Sequence, residues 1–216
     1  MHTAAATAIQ TVRTSRFELV FTPIAEIGVE ERFGWAVALA MRDGADIDAF
    51  VDSLPPRGLR EFARRRRLVC LRHAAGSGRG AGGAHLMIDA MPDCFENPAA
   101  ELEALVHGVR DFGLSPHHLI LHLTRMERMD ARARAAFLQA LEQSGLGSAA
   151  GPIAGTREDV AMLARDLPRF VLLAPEATAQ LGTSWSRRIQ FEDMARRFEQ
   201  LGIRAIAACV DSEEDA

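Results

Sequence analysis

Asp89 and His122 each close an apolar, strand-like run, Leu86-Met87-Ile88-Asp89 and Leu119-Ile120-Leu121-His122. A carboxylate and an imidazole at strand ends could ligate a metal ion or exchange a proton. One of each falls short of the three or more protein ligands usual for zinc, and magnesium prefers several oxygen donors. The two residues are read as a polar pair hydrogen-bonded to each other, not as a residual metal site. Arg64-Arg65-Arg66-Arg67, with Arg60 and Arg72, could bind an anion or nucleic acid. Four consecutive helical residues span a full turn, so these charges point all round instead of forming a stripe, and no aromatic residue interleaves them. A solvated helix end with some carboxylate pairing is expected. His117-His118 has no nearby partners for a metal and reads as a loop pair. Cys209, at a strand end, reads as a small buried apolar residue, not a reactive thiol.

Composition narrows the classes. A chain of 216 residues that is 48% hydrophobic can bury one substantial core. Its net charge of −4 gives no global drive toward nucleic acid or an anionic membrane. No apolar run approaches the ~20 residues of a membrane span, and the N-terminus lacks the features of a secretory signal. Three widely spaced cysteines, Cys70, Cys94 and Cys209, suit reduced thiols and a cytoplasmic location. All 25 basic residues are arginine and lysine is absent. Chemistry that needs a lysine ammonium is therefore closed to this chain, because arginine is almost never neutral and has a different shape.

The elements that must position these residues follow from periodicity. Residues 1–15 are Ala/Thr-rich without an apolar period and are expected to form a flexible tail. Residues 16–216 are expected to form one domain. Strands are predicted at 17–24, 31–40, 85–91, 119–124, 169–174 and 203–210, with a further strand expected within the small-residue segment 146–155. Helices are predicted at 46–54, 57–72, 99–112, 130–144, 157–166 and 191–201, with a glycine-rich loop at 74–83. The glycines of that loop do not follow a strand and open a helix, so a phosphate loop is not expected. Trp35 is assigned to the core and Trp185 to a partly buried loop. Strands alternating with helices of this length argue for parallel βα units, and this number of units points to a barrel.

The order and flanks of Phe17-Glu18-Leu19-Val20-Phe21-Thr22-Pro23-Ile24, Gly34-Trp35-Ala36-Val37-Ala38-Leu39, Leu86–Pro92, Leu119–Arg125, Phe170–Ala174 and Ile206–Asp211 resemble the EAL domain. Active members of that family hydrolyse cyclic di-GMP with carboxylate-held divalent metals. The resemblance covers roughly residues 17–212 and implies a modified TIM-like (β/α) barrel. It also implies that the functional positions have been emptied. The metal-binding Glu of the signature tripeptide matches Ala36, and the ligand-contacting Arg after it matches Ala40. The Gln before the first Pro matches Thr22, and the Asn of Asn-Leu-Ser matches Asp89. The two Glu of Glu-Ile-Thr-Glu match His122 and Arg125, and the paired Asp match Ala150 and Gly151. The Lys and Asp of Lys-x-Asp match Leu172 and Ala174. The two Glu of Glu-Gly-Val-Glu match Ala208 and Asp211.

The resemblance thus implies a protein with no catalytic residue, no metal and no cofactor. It is expected to be a regulatory protein acting through protein contacts in bacterial signalling or motility control, with a protein partner, self-association, or both. Cyclic di-GMP binding is expected to be weak or absent, with Arg125 the one residue able to swing toward the ligand. A non-hydrolysing cyclic di-GMP receptor is the alternative, and a residual phosphodiesterase ranks third. The chain stops one βα unit short of what the family carries. The barrel is therefore expected to be incomplete at its C-terminal end, with the gap beside 203–210 covered by another chain or by the N-terminal segment.

Overall fold

Among the described residues, eight strands make one sheet, and its first long strand meets its last. They are β1 (Gln10–Arg13), β2 (Phe17–Glu26), β3 (Arg32–Met41), β4 (His85–Asp89), β5 (Leu119–His122), β6 (Gly147–Ile153), β7 (Phe170–Leu173) and β8 (Arg204–Ala208). The computed structural model describes residues 10–13, 16–26, 32–154, 156–178 and 184–208. β2 runs antiparallel to β3, and β3 through β8 are parallel neighbours in chain order. Ile24, Ala25 and Glu26 of β2 then pair antiparallel with Ala208, Ala207 and Ile206. Strands β2 to β8 therefore close a seven-stranded barrel.

This closure corrects the expectation of a barrel open at its C-terminal end. β2 is ten residues long, and only part of the edge that faces β8 is taken by β1, which pairs with residues 18–21. The remaining length reaches β8 directly, so the edge beside β8 needs no second chain. The expected flexible tail is corrected in part as well, since Gln10–Arg13 form a strand. Residues 1–9, 14, 15 and 209–216, which include Cys209 and Asp211, lie outside the described residues.

Among the described residues, seven α-helices cover the barrel: α1 (Ile47–Asp52), α2 (Pro56–Gly76), α3 (Pro98–Asp111), α4 (Ala131–Ser144), α5 (Arg157–Asp166), α6 (Pro175–Thr178) and α7 (Trp185–Gln200). The starts of α1, α3, α4, α5 and α7 are set by side chains that satisfy free N–H groups of the first turn, while α2 begins at Pro56 without one. The chain's one asparagine, Asn97, caps α3, Asp130 caps α4, and Thr156 with Asp159 forms a reciprocal capping box on α5. Helix α2 takes in 74–76 of the expected loop, and α7 begins at Trp185, which is exposed on the helix and not partly buried in a loop.

The two faces of the strands build two layers. Leu19, Phe21, Trp35, Val37, Leu39, Leu86, Ile88, Leu119 and Leu121 pack outward against residues of α2, α3 and α4, including Leu71, Leu102, Val109 and Phe137. Val171, Leu173 and Ala150 pack with Leu163, Met194 and Phe198 of α5 and α7. Ile24, Phe33, Met87, Ile120, Ala149, Phe170 and Ile206 fill the interior, with Ala36 and Leu172 against them. Phe33 shares parity with outward-facing Trp35 yet sits in the interior, because the β2–β3 register skips it: Gly34 pairs with Ile24 and Arg32 with Ala25. Such a bulge adds one residue to one strand and flips the faces beyond it.

Candidate functional site at the barrel mouth

Interior-facing residues alternate along each strand, so the layer above Met87 and Ile120 is formed by Asp89 and His122, two residues on. The parallel register sets Asp89 directly beside His122, and His122 beside Ala149. His122 Nδ1 lies 2.9 Å from Asp89 Oδ1, and its Nε2 lies 2.7 Å from the Gly151 carbonyl oxygen. The expected hydrogen-bonded pair is present, and it carries a third member. Arg66, reaching in from α2, bonds Asp89 Oδ2 through Nη2 and approaches Met91 Sδ at 3.8 Å through Nη1. The three side chains keep only 9%, 20% and 12% of their surface exposed for Arg66, Asp89 and His122 respectively.

Burial works to raise the Asp89 pKa, but the hydrogen bond from His122 and the charge of Arg66 outweigh it and hold the carboxyl below its ordinary value. Burial likewise works against the imidazolium of His122. The hydrogen bond to Asp89, its negative charge and the Gly151 carbonyl prevail and raise the His122 pKa.

A second set of charges lies outside the first. Arg125 takes a left-handed backbone conformation with φ of 63° immediately beyond β5, and Met91 does the same beyond β4 with φ of 50°. Such conformations are costly for residues with a Cβ and persist where the surroundings enforce them. The turn delivers Arg125 Nε to Asp93 at 2.9 Å and Nη1 to Asp52 at 2.7 Å. Arg128 donates to the other Asp52 oxygen at 2.9 Å. Asp52 ends α1, so these pairs pin α1 to the loop after β5. A cavity of about 310 Å³ remains between the two sets, lined by Asp48, Asp52, Arg66, Asp89, Thr124 and Arg125 among others.

The remaining residues matched by resemblance are spread along the strands. Thr22 and Ala36 stand opposite each other across β2 and β3, and Ala36 and Leu172 pack on the interior cluster. Ala40 pairs with Glu18 farther along the same ladder, while Ala174 is buried and donates its N–H to Ile153 O at 2.8 Å. Ala150 and Gly151 part company: Ala150 packs outward in the α5–α7 layer, and Gly151 serves the mouth through its carbonyl. Ala208 contributes its strand pairing with Ile24, and Asp211 lies outside the described residues.

The sequence reading missed Arg66, Arg67, Asp52 and Asp93. The arginine run does point all round, but only half of it is solvated. Arg64 and Arg65 are exposed and pair with Glu61. Arg67 is buried; it donates to Ala90 O at 2.7 Å, lies 3.6 Å from Glu101, and stacks 4.2 Å above the Phe95 ring. A signal for Arg67 was available, since Ala63, Arg67, Cys70, Leu71 and Ala74 make the buried stripe of α2 at helical spacing. Cys70 and Cys94 are buried free thiols pushed up to about 12 by burial. Among the described residues, no three His, Cys, Asp or Glu side chains converge as a metal-ligand group, and no helix is long and apolar enough to cross a membrane.

No protein-family model and no curated protein sequence matches the chain. Solved structures do share its fold. A standalone versatile EAL protein from Vibrio cholerae O395, in its c-di-GMP bound form, aligns with a TM-score of 0.75 at 14% identity over 94% of this chain and 85% of that one. The FimX EAL domain of Xanthomonas citri in complex with c-diGMP aligns at 0.71 with 18% identity over 92% and 79%. A Klebsiella pneumoniae BlrP1 complex with manganese and cy-diGMP aligns at 0.74 with 16% identity over 92% of this chain and half of that one. At these identities the likeness is one of fold: the chain is an EAL-like barrel.

Proposed function

We propose that this chain is a cytoplasmic EAL-fold protein without phosphodiesterase activity that acts in cyclic di-GMP signalling through contacts with other proteins. The observation that carries the reading is the Arg66–Asp89–His122–Gly151 network, in which the two strand-end side chains able to ligate a metal are already spent. Both Asp89 oxygens face cationic donors, and both His122 nitrogens are engaged. A divalent cation in this fold needs several free oxygen donors, and Thr22, Ala36 and Leu172 add no carboxylate. The residues present do not fit a metal of the kind named with BlrP1. Without one, the metal's charge stabilisation and its activation of water are both missing.

Incubation with cyclic di-GMP and magnesium or manganese should yield no linear pGpG above a control without protein. Metal-dependent product would overturn the proposal. Affinity capture from the native host tests the second half, and retention of no specific protein would count against it.

A second reading, a receptor that binds cyclic di-GMP without cleaving it, draws support from the mouth cavity lined by Arg66, Arg125 and Arg128. One structure of this fold, BlrP1 with FMN and cyclic diGMP, is described as having no metal ions. Against it, Arg125 and Arg128 are held by Asp52 and Asp93, so a doubly anionic ligand must compete with two carboxylates. Titration calorimetry should show at most weak binding. A micromolar or tighter dissociation constant lost on Arg125→Ala would favour the receptor.

A further inference from the structure

The hydrogen bonds of His122 fix its proton count. Nδ1 faces a carboxylate oxygen and Nε2 faces a backbone carbonyl oxygen. With Asp89 ionised neither oxygen donates, so this geometry points to a hydrogen on each ring nitrogen, and only the imidazolium has two. The bonds tie three strand ends together, since Asp89 ends β4, His122 ends β5 and Gly151 lies in β6. The charged groups that face the ring are Asp89 from β4 and Arg66 from α2, while β6 presents the Gly151 carbonyl. Of the other charged groups at the mouth, Asp93 and Asp52 pair with Arg125, Arg128 pairs with Asp52, and Asp48 lines the same cavity.

We propose that the barrel mouth is a proton-gated latch, with doubly protonated His122 tying the ends of β4, β5 and β6 together and loss of one proton to solvent releasing the Gly151 carbonyl of β6. A neutral imidazole keeps one N–H. The anionic Asp89 is the stronger acceptor, so Nδ1–H stays with it. The Nε2 lone pair then faces the Gly151 oxygen, an acceptor against an acceptor, and the 2.7 Å contact cannot persist. Nothing in this inference depends on the absence of catalysis or on a partner.

The test is ¹⁵N and ¹H NMR of the full chain, with the His122 ring signals assigned by their loss in His122→Gln. Both ring nitrogens should be protonated at pH 6.5, and the midpoint should lie above that value. The Gly151 amide shift should move with the same midpoint. In Asp89→Asn the ring should titrate at a lower pH. A ring nitrogen free of hydrogen at pH 6.5 in the folded protein would overturn the assignment. A Gly151 amide that ignores the His122 titration would overturn the latch, and this wild-type measurement stands even where a variant fails to fold.

Discussion

At the scale of single residues, the mouth shows how charges survive burial when each has a partner. Removing one partner is costlier than removing all, because a lone buried charge keeps its desolvation penalty without the compensating attraction. Asp89→Leu, which leaves Arg66 and protonated His122 without a counter-charge, should therefore destabilise the fold by about 3–5 kcal/mol in denaturant titrations. The triple change Arg66→Met, Asp89→Leu, His122→Leu should recover most of that loss. A triple variant no more stable than the single one would show that the network itself holds the barrel.

The same residues set a pH window. The His122 pKa is raised in the fold, so its contribution is complete below the unfolded value near 6.5 and is lost as pH rises through the higher folded value. The Asp89 pKa is lowered, so its contribution is complete above 3.8 and is lost as pH falls through the lower folded value. Stability from the pair is greatest between about 3.8 and 6.5. Thermal melts of wild type minus His122→Gln should show the difference shrinking above that window. A difference that is flat with pH would contradict the charge assignment.

At the scale of elements, close approach of strands does work that side chains cannot. Gly34, next to the β3 bulge, stands opposite His85, and a Cβ there would stand 2.1 Å from the His85 carbonyl oxygen. That oxygen belongs to backbone and cannot rotate away. Gly34→Ala should force β3 from β4 and lower the melting temperature, at a cost of about 1–3 kcal/mol as for overpacked cores. A melting temperature within a degree of wild type would mean that β3 and β4 can separate freely. Helix α2 makes the opposite point about one run of identical residues. Its exposed half, Arg64 and Arg65, bonds a half-exposed Glu61 and contributes little, while Arg66 and Arg67 hold strand ends.

At the scale of the whole molecule, β2 both opens the barrel and closes it. The amides of Ala205 to Ala207 should be protected from hydrogen exchange at all protein concentrations, because their partners belong to the same chain. Protection that appears only on self-association would restore the idea of a gap filled by a second copy. By itself the sequence determined the order of strands and helices, the apolar strand segments, and the strand-end positions of Asp89 and His122. These follow from local periodicity and from the two-residue repeat of strands. The tertiary structure alone decided three things: that β2 reaches β8, that Arg66 turns inward to Asp89, and that Ala150 and Gly151 serve different layers. Each depends on contacts between residues far apart in the chain or on a bulge that changes register. Hydrophobic patterning marks which face is buried, but it does not say which distant strand or carboxylate will meet it.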